Sequence, residues 1–293
     1  MQSMPLVSII CLSYNHEKFV TQALDSVVNQ TYKNIELLIA DDFSTDNSAA
    51  IIEKWLQHHP EIHFTRNSQN LGNTKTFNSL FRKSKGEFII DLAADDILEP
   101  ECIANQLQGF QDHQDAGLVY GNMKLIDEND KELGYYYPVN EQLSAINPPN
   151  SGYVYIDILN QKHKICSVTA MMRRTMLEEL GGYDETLAFE DLDIWIRGSR
   201  TNPFYFLDKI LVTRRELKSS MGSVIFKKNS PRTIKMNNSS YKIIRKAIKL
   251  NKSRKENKAL LRRMHYEMTK ALYTRHYSLF IKYIPLELKL RFF

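Results

Sequence analysis

Residues 35–46 read IELLIADDFSTD. The apolar run Ile35–Ala40 stops on two carboxylates, Asp41-Asp42. The polar stretch Ser44-Thr45-Asp46-Asn47-Ser48 then offers helix N-cap residues before Ala50, Ile51, Ile52, Trp55 and Leu56 recur at helical spacing. The same arrangement occurs on either side. Leu6–Leu12 is an apolar run that ends on Ser13-Tyr14-Asn15-His16-Glu17 and leads into a helical face of Phe19, Val20, Ala23, Leu24, Val27 and Val28. Phe88–Ala93 is a third run, and it closes on Asp95-Asp96. Short apolar runs without alternation predict strands buried on both faces, and their alternation with amphipathic helices predicts βαβ units in a mostly parallel α/β sheet flanked by helices. Ligands of such sheets bind beyond the carboxyl ends of the strands. The three polar clusters, though far apart in the chain, are therefore expected to converge on one crevice.

Further along, the pattern predicts a short strand near Ile62–Thr65, an Asn-Gly loop over Asn67–Asn73 and a helix through Phe77, Leu80 and Phe81. Strands are expected at Gly117–Tyr120, continuing through Asn122–Ile126, at Ser167–Arg173 and at Phe204–Val212. Asp127–Asp130 reads as a turn and Asn140–Gly152 as a surface loop. Thr175–Leu180 reads as a helix ended by Gly181-Gly182, and Glu190-Asp191-Leu192-Asp193 opens another through Trp195 and Ile196.

Composition excludes several classes. The 293 residues are 43% hydrophobic and 25% charged, and the 11% aromatic content suffices for a core, which excludes whole-chain disorder. Cys11, Cys102 and Cys166 form neither a disulfide framework nor a CxxC metal site, which favours a reducing compartment. There is no leader-like N-terminus and no run of about 18 apolar residues, so a cytoplasmic location without a membrane span is expected. No GxGxxG follows the first strand, which weighs against a dinucleotide enzyme.

The net charge of +5 conceals an asymmetry: Arg214–Phe293 holds 22 Lys+Arg against 4 Asp+Glu, and residues 1–213 hold 17 against 30. The split suggests two parts with different partners, 1–215 and a basic helical extension over 216–293. In that extension Ile243, Ile244, Ala247 and Ile248 mark one helical face and Leu260, Leu261, Met264, Met268, Ala271 and Leu272 another. A helix with apolar and cationic faces suits an anionic membrane surface, here the inner face of the cell membrane, or a second subunit in a homodimer. No nucleic-acid motif is present, and nucleic acid is not an expected partner.

The ordered motifs resemble those of the family 2 glycosyltransferases. Pro5–Ile10 followed by Ser13-Tyr14-Asn15 is similar to the family's opening, Asp41-Asp42-Phe43-Ser44-Thr45-Asp46 to its DDGSTD segment, and Asn70-Leu71-Gly72 to its NxG loop. Gly86-Glu87-Phe88-Ile89 resembles the strand lead-in, Asp95-Asp96 the DxD-type metal motif, Gly181–Glu185 the GGFDE segment and Glu190–Trp195 the EDxDLW segment. The resemblance covers roughly residues 4–215. It implies a GT-A fold, a nucleotide-sugar donor (UDP favoured), a divalent cation (Mn²⁺ or Mg²⁺) and inverting transfer to a glycan or lipid-linked acceptor in bacterial surface polysaccharide synthesis. A non-catalytic nucleotide-sugar or carbohydrate-binding member of the fold is the alternative.

Carried over residue by residue, the resemblance implies Asp96 as metal ligand and Asp95 on the ribose or donor sugar. Taken alone, Asp95-Asp96 equally suits a helix start before Pro100. Asp42 would accept from a uracil-like imide and Tyr14 would stack on the base, with Asn15 and Asp41 beside them. One of two adjacent strand-end acids usually points away, which sets Asp41 against Asp42, and Asp46 suits a turn cap. Inverting transfer needs a base for the acceptor hydroxyl. Asp191 matches the family's base, with Glu190 and Asp193 as the alternatives. Arg214, Arg215 or Lys218 would neutralise diphosphate. Two departures stand out: Phe43 replaces the family's Gly, and Arg214-Arg215 stand where many members carry Arg-x-His. His63, His163 and His265 have no ligand spacing and read as surface or structural.

Overall fold

The computed structural model describes residues 4–162, 164–217 and 225–292. In chain order the first half contains β1 (Val7–Ser13), α1 (Val20–Val28), β2 (Ile35–Asp41), α2 (Ser48–Trp55), β3 (His63–Arg66), α3 (Asn73–Phe81), β4 (Phe88–Ala93), β5 (Ile97–Leu98), α4 (Cys102–Asp112), β6 (Leu118–Ile126) and β7 (Glu132–Tyr135). The second half contains α5 (Tyr155–Leu159), β8 (Met171–Arg173), α6 (Arg174–Glu179), α7 (Asp191–Gly198), β9 (Phe204–Arg215), α8 (Pro231–Leu250), α9 (Arg254–Tyr273) and α10 (Tyr277–Phe292).

The chain divides into two compact units. A sheet unit holds Met1–Gly152, Ile165–Tyr183 and Asn202–Glu216; a helical unit holds Tyr153–Lys164, Asp184–Thr201 and Leu217–Phe293. The division is not the single cut after residue 215 that the charge asymmetry suggests, because two segments from the middle of the chain pack with the C-terminal helices.

In the sheet unit the strand order is β3-β2-β1-β4-β8-β6-β9-β5, with β7 paired to β6. The three strands that carry the apolar runs and the edge strand β3 are parallel to one another, as the βαβ pattern predicts. Beyond β4 the sheet is mixed: β8 runs antiparallel to β4 and β6, and β9 runs parallel to β6. Of the expected strand Ser167–Arg173, the first part is a 3₁₀ turn over Ser167–Thr169 and only Met171–Arg173 joins the sheet. Thr169 is held out of the ladder because its hydroxyl bonds the backbone of Gly121 and Cys166. Val7, Ile9, Cys11, Leu37, Ile39, Ile90 and Leu92 share one face and pack against Val20, Leu24, Val27, Ile52, Ile103 and Leu107 of α1, α2 and α4. The three cysteines are free and buried.

The helical unit contains α5, α7, α8, α9 and α10. Pro231 starts α8 at a position where its missing N–H costs nothing. Ser253 and Glu256 form a capping box that fixes the start of α9. The expected tail faces are its core: Ile243, Ile244, Ala247, Leu260, Met264 and Ala271 are fully or nearly fully buried, whereas Leu272 is exposed. Tyr277–Phe292, whose mixed composition carries no clear period, is a third helix.

Candidate active site

Strand alternation sets the site. With Ile9, Ile39 and Ile90 turned to the core, Leu12, Ala40, Asp91 and Ala93 face the opposite side of the sheet. Leu12, Asp91 and Ala93 are partly exposed in the middle of central strands, so solvent reaches this face near the carboxyl ends. The two acids of the Asp41-Asp42 pair separate by the same rule.

Asp42 is nearly buried yet accepts four hydrogen bonds from neutral donors. Its Oδ1 takes Leu71 N–H at 2.8 Å, Asn67 Nδ2 at 2.8 Å and Thr76 Oγ1 at 3.1 Å, and its Oδ2 takes Gly72 N–H at 2.8 Å. Gly72 presents that N–H from φ +85°, a left-handed conformation that favours glycine. A carboxylate oxygen has about two lone-pair sites, so Oδ2 retains one for a further donor. Asp41 is fully buried, and both of its oxygens are taken by Ser44, whose N–H lies at 3.0 Å and Oγ at 2.5 Å. Both oxygens are thus engaged in building the turn.

The loops after β1 and β2 are stitched together. Asn15, at φ +59°, accepts from Thr45 N–H at 2.8 Å and donates its own N–H to Ser44 Oγ. Its side chain is thus spent on loop geometry. Asp46 accepts from the N–H groups of Glu17 and Ser48, the turn cap the sequence suggests. Tyr14 is left 45% exposed on this rim. Phe43 occupies the place of the family's glycine and takes the glycine-like backbone itself, at φ +68°, with its ring 48% exposed.

Asp96 is buried, and Arg215 N–H at 3.1 Å gives its carboxylate the one hydrogen bond it has among the described residues. Burial, then the neighbouring Asp95, push its pKa well above the ordinary carboxylate value, and the charges of Arg214 and Arg215 pull against them. Asp95 lies 3.8 Å from His16 Nε2. His16 is the neighbour that motif reading passes over, although it directly follows Ser13-Tyr14-Asn15. The Arg215 guanidinium turns away from the strand end. It bonds Asp130 at 2.5 Å, the Asp127 carbonyl at 3.1 Å and Gln22 at 2.8 Å, and sits over the Phe19 ring. The Arg215 guanidinium is thus engaged by Asp130, the Asp127 carbonyl and Gln22, whereas Arg214 lies half-buried beside Asp96. Lys218 and His163 lie outside the described residues. His63 bonds Thr65 and lies 3.2 Å from Lys83, and His265 pairs with Glu287, both away from any ligand set.

Among the described residues no group of three metal-type side chains occurs. Two adjacent carboxylates with little internal hydrogen bonding nevertheless fit Mg²⁺ or Mn²⁺, which commonly take one or two protein carboxylates and complete their shell with substrate phosphates and water.

A second acid, half-buried on β4, escaped motif reading. Asp91 of β4 accepts from the Tyr183 hydroxyl at 3.0 Å, and burial pushes its pKa up to about 7 against that hydrogen bond. Tyr183 is itself fixed: its ring stacks on Phe77 at 4.0 Å, and Asn78 bonds both its N–H and its carbonyl. The available signal was the pairing of two unusual residues, a carboxylate inside an apolar strand and Tyr in place of Phe in GGFDE.

Asp191 belongs to the helical unit, where it is the first residue of α7, as a helix-opening acid should be. Asp193 is 1% exposed and committed to Arg197 and Lys246, both at 2.7 Å, so it is a structural ion pair and not a free base.

Comparison with known proteins agrees with this layout. Residues 8–181, more than half of the chain, match the family model "Glycosyl transferase family 2". The chain is 31% identical over 222 residues to an uncharacterized glycosyltransferase of Rickettsia felis, covering 75% of this chain and 35% of that protein. It is 27% identical over 219 residues to the chondroitin synthase of Escherichia coli, covering 73% of this chain and 29% of that one. The chain thus spans about a third of the length of these relatives. Among solved structures, S. aureus TarS 1–349 in complex with UDP-GlcNAc superposes with a TM-score of 0.67 at 17% identity, over 92% of this chain and 75% of that one. The mannosyltransferase PcManGT of Pyrobaculum calidifontis, in complex with GDP-Man and Mn²⁺, gives 0.63 at 17% identity, over 94% and 73%. The fold is thus that of these GT-A transferases, and the match of the family model over more than half of the chain means that the chain belongs to glycosyl transferase family 2.

Proposed function

We propose that the protein is an inverting glycosyltransferase that moves a sugar from a nucleotide-diphosphate donor, UDP favoured, to a hydroxyl of a glycan or lipid-linked acceptor in surface polysaccharide synthesis. The observation that carries this reading is Asp42. Its carboxylate is oriented by four neutral donors with one lone pair to spare, beside an exposed Tyr14 on the same rim. That combination suits a base with an imide N–H and a ring face. The nucleotide sugars bound by TarS and PcManGT, and the chondroitin synthase relative, support the donor class and the polymer context.

In this reading Asp96 holds a divalent cation, Mn²⁺ or Mg²⁺, and Asp95 meets the ribose or donor sugar. When bound, the cation neutralises charge on the leaving diphosphate. Arg214 adds positive charge beside Asp96. Asp191 takes the proton of the acceptor hydroxyl while the new C–O bond forms at the anomeric carbon and the bond to diphosphate breaks. The basic C-terminal helices hold the enzyme at the anionic inner face of the cell membrane. Among the described residues no helix is long and apolar enough to cross a membrane.

The test is a donor screen with UDP-, GDP- and dTDP-sugars in Mn²⁺, Mg²⁺ or EDTA, following thermal shift and nucleotide release. One nucleotide class should stabilise the protein in a metal-dependent way, and Asp96→Ala should lower turnover by about a hundredfold or more. Metal-independent binding would remove the role of Asp96. No response from folded protein would favour a non-catalytic carbohydrate-binding member of the fold.

A further inference from the structure

Helix α10 is apolar on two opposite sides. Leu279, Tyr283 and Leu290 are 1%, 0% and 5% exposed, and the Tyr283 ring packs edge-on against Tyr241 of α8. Tyr277, Ile281, Ile284, Leu288 and Phe292 are 58%, 61%, 41%, 52% and 76% exposed. At about 100° per residue these five fall within about 80° of arc on the side away from the buried three. An amphipathic helix that serves only its own unit shows one apolar stripe; a second stripe calls for a second apolar environment.

The charges around the stripe select that environment. Lys282 and Lys289 lie along one flank and Arg291 along the other. The acid of this helix, Glu287, is cancelled by Arg291 at 2.6 Å and also lies 2.9 Å from His265 Nε2. Arg214–Phe293 as a whole, this helix included, carries 22 cationic and 4 acidic residues. Two copies meeting through this face would bring like charges together, whereas an anionic leaflet opposes them with the complementary sign. We propose that the Tyr277–Ile281–Ile284–Leu288–Phe292 face of α10 is the surface that seats on an anionic membrane, its side chains entering the boundary between headgroups and acyl chains while Lys282 and Lys289 meet lipid phosphates. This rests on the membrane location proposed above and names the face that makes it.

The experiment is co-sedimentation of the full chain with vesicles of phosphatidylcholine alone or mixed with phosphatidylserine, at low and high salt. Size-exclusion chromatography and circular dichroism report association state and fold. Wild type should bind the phosphatidylserine vesicles. The double variant Ile281→Ser/Leu288→Ser, altered only at exposed positions, should lose about tenfold or more in partitioning at both salt concentrations. Lys282→Gln/Lys289→Gln should lose binding mainly at low salt. Ile146→Ser, an exposed apolar control in the sheet unit, should behave as wild type. Equal partitioning of the serine variant and wild type would overturn the face while leaving charge-driven membrane binding intact. Failure of wild type to bind any vesicle would overturn the membrane location itself. A wild-type dimer that the serine variant dissociates, without vesicle binding, would assign the face to a second copy instead. The readout is partitioning, so it stands apart from the assignment of the reaction.

Discussion

The acids on the central strands of the sheet unit and the acids of the helical unit are held in different ways. On and just after β2 and β4 three carboxylates are held by neutral donors: Asp42 by three side-chain or backbone donors on one oxygen and Gly72 on the other, Asp41 by Ser44, and Asp91 by Tyr183. Away from these strands the same unit also carries ion pairs, Asp130 with Arg215 among them. In the helical unit the acids are cancelled by cations. Lys246 bridges Asp184 at 2.6 Å and Asp193 at 2.7 Å, Arg200 meets Glu256 at 2.7 Å, and Lys270 meets Glu267 at 2.5 Å. Neutral donors orient a carboxylate without removing its charge, whereas an ion pair removes the charge and uses the acid as a fastener. Acidity left uncancelled at a strand end is available to a cation-bridged ligand. In the helical unit Asp184, Asp193 and Glu256 join segments far apart in sequence.

The largest expected break in this contrast comes from Lys246→Ala. Asp193, 1% exposed, would keep only Arg197, and stripping a partner from a buried pair costs about 3 kcal/mol. Urea denaturation followed by circular dichroism should show that loss; a change under about 0.5 kcal/mol would mean that Arg197 suffices alone. Asp184 gives an acid-side check. Burial raises its pKa, but the Lys246 hydrogen bond, the Thr186 hydrogen bonds and the Lys246 charge together outweigh burial and bring it to about 2 from 3.8. A lowered acid stabilises the fold above the unfolded value, and that contribution disappears as pH falls toward about 2. In Lys246→Ala this acid-side decline should shrink.

Tyr183→Phe comes next and sharpens the sheet-unit half. Asp91 binds its proton more tightly folded than unfolded, so stability falls as pH rises from 3.8 toward about 7. Removing the Tyr183 hydroxyl takes away the bond that favours the ionised form, and the decline should extend to higher pH. The deficit against wild type should reach about 1 kcal/mol near pH 8 and be smaller near pH 5. Thermal melts at the two pH values check this, and an equal deficit at both would exclude Asp91 as the cause. The smallest effect is expected for Phe43→Gly. Relief of the left-handed backbone should raise stability by about 0.5–1 kcal/mol, since the half-exposed ring has little packing to lose. No gain in the denaturation midpoint would show that ring contacts offset the strain.

Much of the sheet unit is legible in linear form. Ile35–Ala40, Leu6–Leu12 and Phe88–Ala93 are uninterrupted apolar runs, and such runs are buried wherever a parallel sheet places them. The polar endings then fall at one end of the sheet by topology alone. The short strands Ile97–Leu98 and Glu132–Tyr135 are not legible, because two to four residues carry no period and pair only when a neighbour is present. His16 and Asp91 are missed for a related reason. A single polar residue acquires meaning from the group opposite it, here Asp95 and the Tyr183 hydroxyl.

What the sequence determined by itself is what short-range pattern can encode: the alternation of apolar runs with helical faces, the acids that close each run, the family motifs and the basic C-terminal quarter. What only the tertiary structure decided is which of two similar residues does which task. Asp41 closes a turn while Asp42 keeps a lone pair, and Arg215 is absorbed by Asp130 and Gln22 while Arg214 stays beside Asp96. Residues 153–164 and 184–201 join the C-terminal helices, and α10 turns a second apolar face outward. Adjacent residues of like chemistry are nearly degenerate in sequence. Contacts between residues far apart in the chain break the degeneracy, because they fix which side of a strand or helix is buried and which donor or cation each side chain meets.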